Sequence, residues 1–283
     1  MARQAFSPQR IVVALDSSPA SLAALEAAGR LAAQLHAELV GLFVEDVNLL
    51  RLAELSLASH YSLSSGSDMR LDTPALESQF RALAERARSA LEALAARHAL
   101  HGSFHVARGS VTAELISATA EGDLLILGRA GHSLVRRERL GGTARSAARE
   151  APGPVLLLPQ GASLAGPVVV VQERLGGGVA LETAVALAQA LGEELVVLAA
   201  AGSEQEAREL ATSCRKALDA AGIEARIRAV ANGERLGASL AQKRTGVLVL
   251  GADASLTRDA GLLDEVRCAV LLTRESDLSS SAT

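Results

Sequence analysis

At 283 residues the chain has room for one large or two ordinary domains, each able to bury a core. Hydrophobic residues make up 49% and aromatics only 2%, so that core must be built from Ala, Leu and Val. A formal net charge of −4, with the excess acid in the second half, leaves no basic footprint for a nucleic-acid partner. Two cysteines, Cys214 and Cys268, are too few for a disulfide framework and stand in no metal-ligand spacing. No apolar run approaches the ~20 residues needed to cross a bilayer. Residues 1–9 are polar, unlike a secretory leader. The composition points to a cytoplasmic, globular protein with no membrane partner.

In chain order, residues 10–15 (RIVVAL) form the first strand. Asp16-Ser17-Ser18-Pro19 turns into an Ala/Leu helix reaching Leu35, with Pro19 tolerated in its first turn. Residues 38–44 form the second strand. The insert 46–73 is too long for a routine connection. Residues 48–55 within it read as partly helical and amphipathic, suiting a lid, a partner surface or a loop without assigned work. A helix over 74–97, a strand over 103–107 and a helix over 111–120 follow. Asp123-Leu124-Leu125-Ile126-Leu127 is the fourth strand, apolar enough to be buried on both faces. A helix over 143–149 and a fifth strand over 155–158 complete the unit.

The second half repeats this order. Pro167-Val168-Val169-Val170-Val171 answers the first strand. Ala180-Leu181-Glu182-Thr183-Ala184 echoes Ala24-Leu25-Glu26-Ala27-Ala28, and Glu194-Leu195-Val196-Val197-Leu198 echoes Glu38-Leu39-Val40-Gly41-Leu42, at one shared offset. Strands three, four and five fall over 225–230, 246–250 and 269–272. A linker over 159–166 separates domains 1–160 and 161–283, and a Ser-rich tail follows Glu275. Strands alternating with helices imply a parallel α/β sheet with right-handed crossovers.

The loop after the fourth strand carries the chemistry. Gly128-Arg129-Ala130-Gly131 runs on to Gly141-Gly142-Thr143, where a helix begins. Glycine admits close backbone approach, and a helix start offers unpaired N–H donors at the positive end of its dipole. Together they form an anion cradle suited to phosphate. Arg129, Arg136, Arg137 and Arg139 either clamp that phosphate or belong to a solvated loop. His132 reads as an exposed loop residue.

This spacing resembles the nucleotide-binding signature of the universal stress protein family: Gly, two residues, Gly, nine residues, Gly, then Ser or Thr. Gly128, Gly131 and Gly141 match it. Gly142 stands where the family has a hydroxyl, and Thr143 follows one place late. The resemblance implies two tandem adenine nucleotide alpha hydrolase-like domains, each a five-stranded parallel sheet of order 3-2-1-4-5. Strands one and four then flank a topological switch point, where ligands of open α/β sheets bind. The resemblance also implies that Asp16 contacts the nucleoside and that the backbone of Val44 meets the adenine edge. The alternative for Asp16 is an Asx-turn or helix cap, which one side chain can combine with ligand contact, and for Val44 an ordinary strand end. Val106-Ala107-Arg108-Gly109 lines the ribose or forms a helix-entry turn.

The expected ligand is ATP, or ADP or AMP, with Mg2+ as a companion. The second half lacks the signature: Asp253 and Asp259 follow Gly251, and its first strand ends in Gln172-Glu173-Arg174 instead of Asp. It is expected not to bind ATP in the family manner, and Gly176-Gly177-Gly178 reads as a flexible turn. Three functions compete: a regulatory nucleotide-binding protein, a slow ATP hydrolase without a P-loop, and a nucleotide-free scaffold. Relatives pair through their fifth strands, so 155–158 against 269–272 is the expected internal junction, with a homodimer as a further step. Cys214 reads as the more accessible thiol and Cys268 as core.

Overall fold

The computed structural model describes residues 6–54, 59–61, 68–70, 73–129, 142–174, 178–231, 245–251, 254 and 266–274. Strand β1 (Arg10–Leu15) leads into helix α1 (Pro19–Leu35). The Ser18 side chain accepts from the Ser21 N–H at 3.2 Å and caps the helix, and Pro19 sits where its missing N–H costs nothing. His36, at φ 54°, ends the helix in the left-handed conformation and returns its N–H to the Ala32 carbonyl.

Strand β2 (Glu38–Asp46) runs two residues further than the sequence pattern indicates. The insert that follows contains helix α2 (Val47–Glu54), as its amphipathic spacing suggests, and a hairpin of β3 (Ser59–Tyr61) and β4 (Asp68–Arg70). Helix α3 (Thr73–His98) buries Leu76, Phe80, Ala84, Ala87, Leu91 and Leu94, one stripe at steps of three and four. Then come β5 (Gly102–Gly109), α4 (Val111–Ser117), β6 (Leu124–Arg129), α5 (Gly142–Glu150) and β7 (Val155–Pro159).

The second half supplies β8 (Val168–Gln172), α6 (Val179–Leu191), β9 (Leu195–Ala201), α7 (Glu204–Ala220), β10 (Arg226–Ala231), β11 (Val247–Gly251) and β12 (Ala269–Thr273). The repeat leaves the crossover from β9 to β10 unspecified apart from a helix at Cys214. It is α7, opened by a reciprocal Ser203–Glu206 capping box and burying Ala207, Leu210, Cys214 and Leu218.

Ten strands form one sheet of order β10-β9-β8-β11-β12-β7-β6-β1-β2-β5. Each half has the expected order, β5-β2-β1-β6-β7 and β10-β9-β8-β11-β12, with all internal pairs parallel. The fifth strands meet, as expected, and the structure makes the contact antiparallel, with Val270, Leu271 and Leu272 opposite Leu157, Leu156 and Val155. Helices cover both faces. One core gathers Ile11, Val13, Leu124 and Ile126 with Val168, Val170 and Leu271, and the other gathers Val12, Leu125 and Leu127 with Val169 and Leu272. Both cores cross the junction.

One ion pair fixes the strand pair that matters most below. Asp123, 4% exposed, ends the turn before β6 and accepts from Arg10 Nε at 3.0 Å and Nη2 at 2.5 Å. Its second oxygen also accepts from the Ala120 N–H at 2.8 Å. The carboxylate is thus turned toward Arg10, and β6 begins at Leu124 rather than Asp123. The partner carboxylate raises the Arg10 pKa. Asp123→Asn keeps the shape but removes the charge from this fork. Chemical denaturation should show a loss of roughly 1.5–3 kcal/mol, the range for hydrogen bonds to charged groups.

Candidate functional site

Strands β1 and β6 pair only through Ile11–Leu124, Val12–Leu125 and Val13–Ile126, although β1 continues to Leu15 and β6 to Arg129. Their outer partners hold on longer: β1–β2 pairs reach Leu15–Phe43, and β6–β7 pairs reach Arg129–Pro159. The sheet therefore splits between β1 and β6 at their carboxyl ends, the switch point where open α/β sheets admit ligands. Asp16 follows one bank and Gly128 lies on the other. The second half splits in the same place, since β8–β11 pairing stops at Val170–Val249 while those strands reach Gln172 and Gly251.

Asp16 is exposed, and its Oδ1 accepts from the Ser18 N–H at 2.9 Å. This is the Asx-turn, while the cap itself belongs to Ser18. The Asp16 N–H donates to Ser21 Oγ at 3.3 Å. Ser17 between them takes φ 60°, a left-handed conformation that costs a non-glycine residue of order 1 kcal/mol. Its hydroxyl donates to the Leu83 carbonyl at 2.7 Å, tying the strained turn to α3. Strain and three hydrogen bonds thus hold the turn that carries Asp16.

Val44 lies inside β2, paired with Ala107, one residue past the last β1–β2 pair. The next pair, Glu45 and Arg108, is a feature the sequence reading missed. Arg108 Nε donates to Glu45 at 2.7 Å and its Nη2 to Glu77 of α3 at 3.2 Å. Glu45 first, through its hydrogen bond, raises the Arg108 pKa. Arg108 is thereby engaged by acids rather than by the crevice. Gly109 closes β5, paired with Asp46, and Ser110 is the N-cap residue of α4.

Gly128 is the last-but-one residue of β6, and its lack of a side chain has a packing reason. A Cβ there would lie 2.8 Å from both the C and O atoms of Ala20, in the first turn of α1. Arg129 faces the opposite way. It is 6% exposed, and its Nη1 donates to the Val266 carbonyl of the second half at 2.9 Å. Strand alternation sends its guanidinium toward the junction between the halves. Gly131, Gly141, His132, Arg136, Arg137 and Arg139 lie outside the described residues. Gly142 opens α5, exposed, with nothing among the described residues within 4 Å of where a Cβ would stand. Thr143, half-buried, is the second residue of that helix.

In the second half Gln172 replaces the carboxylate. It is 6% exposed and donates to the Arg174 carbonyl at 2.9 Å, closing its own turn. Gly178, at φ 87°, precedes α6, while Gly176, Gly177, Asp253 and Asp259 lie outside the described residues.

The cysteines reverse the sequence expectation. Cys214 is buried in the α7 stripe, whereas Cys268 is only half-buried beside the junction. Burial pushes the Cys268 thiol up to about 11, against a smaller opposing pull from Arg129. Burial raises Cys214 as well.

The universal stress protein family model matches residues 8–159. The chain belongs to the universal stress protein family. Among solved structures, a universal stress protein from Archaeoglobus fulgidus DSM 4304 superposes with a TM-score of 0.70 at 17% identity, covering 95% of this chain and 99% of that one. A protein of Pseudomonas aeruginosa UCBPP-PA14 assigned to the universal stress proteins gives 0.62 at 15% identity, over 96% and 95%. The cytoplasmic domain of a prokaryotic cation chloride cotransporter gives 0.54 at 13% identity, over 95% and 96%. At such identities these likenesses establish the fold alone. A search of curated proteins finds no match. Among the described residues no helix is long and apolar enough to cross a membrane, and no cluster of three or more His, Cys, Asp or Glu forms a metal site.

Two outcomes follow for this member of the family. Gly128→Ala drives a methyl into the α1 backbone and should lower stability by roughly 1–3 kcal/mol in a denaturant titration without ligand. Native Cys268 should react with iodoacetamide tenfold faster for each pH unit from 8 to 10, without a plateau, because only about one thiol in a thousand is ionised at pH 8. Peptide mapping would separate it from Cys214, which should label only on unfolding.

Proposed function

We propose that the first half of the chain, residues 1–160, binds an adenine nucleotide at the split between β1 and β6, and that binding rather than turnover is its function. The observation that carries this is the coincidence of three features at one crevice. The β1–β6 ladder opens after Val13–Ile126, the Asp16 turn and the Gly128 strand end flank the opening, and the glycine spacing begins in sequence at Gly128 and ends where α5 starts. In this reading Asp16 meets the ribose while keeping its Asx-turn, and the backbone of Val44 meets the adenine edge. Gly131, Gly141, Gly142 and Thr143 offer N–H groups to phosphate, and Mg2+ enters with the phosphates. ATP is the leading ligand, with ADP and AMP as alternatives, and the setting is cytoplasmic. The second half, residues 161–283, does not itself bind ATP in the family manner.

A second reading, a nucleotide-free scaffold, is favoured by two facts. Gly128 is explained by packing against α1, and Arg129 is spent on the junction. Calorimetric titration of the intact protein with ATP, ADP and AMP separates the two. Saturable binding that Gly131→Ala weakens supports the nucleotide reading, and heat-free titrations of protein that purifies empty support the scaffold. Gly142→Ser adds the missing hydroxyl where there is room for it, and should tighten ATP about tenfold, the value of one charge-assisted hydrogen bond. Because both fifth strands are used internally, a homodimer would have to use the outer edges β5 and β10 or the helical faces.

A further inference from the structure

The antiparallel junction places the carboxyl end of β6 beside the amino end of β12. There Arg129, the residue after Gly128, buries its guanidinium and donates to the Val266 carbonyl at 2.9 Å. At the other end of the signature, α5 receives a matching contact: Arg274, directly after β12, donates through Nη2 to the Ala148 carbonyl at 2.9 Å. Ala148 lies in the last turn of α5, where carbonyls lack helical partners and the helix dipole favours a cation. Gly128 therefore adjoins one anchored residue, and α5, which opens with Gly142 and Thr143, is anchored at its far end. Both anchors are arginine-to-carbonyl bonds that cross between the halves.

We propose that Arg129 and Arg274 are positioning residues through which the second half sets the nucleotide affinity of the first. The degenerate half, without a signature of its own, is retained as the frame that holds the Gly128 strand end and helix α5 of its neighbour. Linkage then requires the reverse effect, so that a nucleotide held in the first half tightens the junction. Cys268, half-buried beside Arg129, reports on that tightening. This rests on the nucleotide reading above and adds to it the residues that regulate the site.

The test uses the full chain as wild type, Arg129→Met, Arg129→Lys and Arg274→Met, titrated with MgATP and checked for stability by denaturation. Arg129→Met should weaken ATP at least about fivefold, the lower range of measured coupling between sites. Arg129→Lys should recover part of that loss, because it can still donate to the Val266 carbonyl. Saturating MgATP should slow alkylation of Cys268 in the wild type and leave it unchanged in Arg129→Met. Loss of stability alone would move neither the rescue by Lys nor the nucleotide effect on Cys268. If Arg129→Met fails to fold, Arg274→Met carries the same prediction at the second anchor. Equal ATP affinities across the folded variants, or a wild-type Cys268 that ignores bound MgATP, overturn the positioning role and leave nucleotide binding standing. A wild type that binds no nucleotide overturns both.

Discussion

Everything in this molecule is built outward from the antiparallel contact between β7 and β12. A five-stranded parallel sheet of this order ends in a fifth strand with one unpaired edge, and an apolar strand such as Val155–Pro159 is a hazard when left open. Here the repeat supplies its own remedy, and both fifth strands are buried at every residue. Because the contact is antiparallel, the two halves are related by a local two-fold rotation, and their switch points open at opposite edges of the sheet. The first crevice thus looks out beside the amino ends of the second half's strands. That geometry lets Arg129 reach Val266 and Arg274 reach Ala148.

The architecture was legible because doubly covered parallel strands are written as unbroken runs of Val, Leu and Ile, and because those runs recur in the same order. Strand order within each half came from the family resemblance, not from the runs themselves. The side chains at the site were much less legible. Placing the strand end at Leu127 put Gly128 and Arg129 in a loop, free to face a ligand. With β6 continuing to Arg129, alternation decides their directions instead: Gly128 toward α1, Arg129 toward the junction. A difference of two residues at a strand end changes the direction in which both point.

The Arg10–Asp123 and Arg108–Glu45 pairs were hidden for a different reason. Each joins residues over sixty positions apart, and only strand register brings them together. Cys214 is the opposite case, since its spacing with Ala207, Leu210 and Leu218 was open to view as a helical stripe. The charged residues interleaved along α7 concealed it.

A glycine signature conflates two demands, and the structure separates them at two of its positions. Gly128 is required by the close approach of α1, so its presence would be expected whether or not any ligand had ever occupied the crevice. It therefore argues weakly for binding, although it is the first residue of the motif. Gly142 is the reverse. Among the described residues nothing stands within 4 Å of where its Cβ would be, so none of them forbids a side chain there. The motif's weight as evidence for nucleotide thus lies at its helical end, at the N–H groups that open α5.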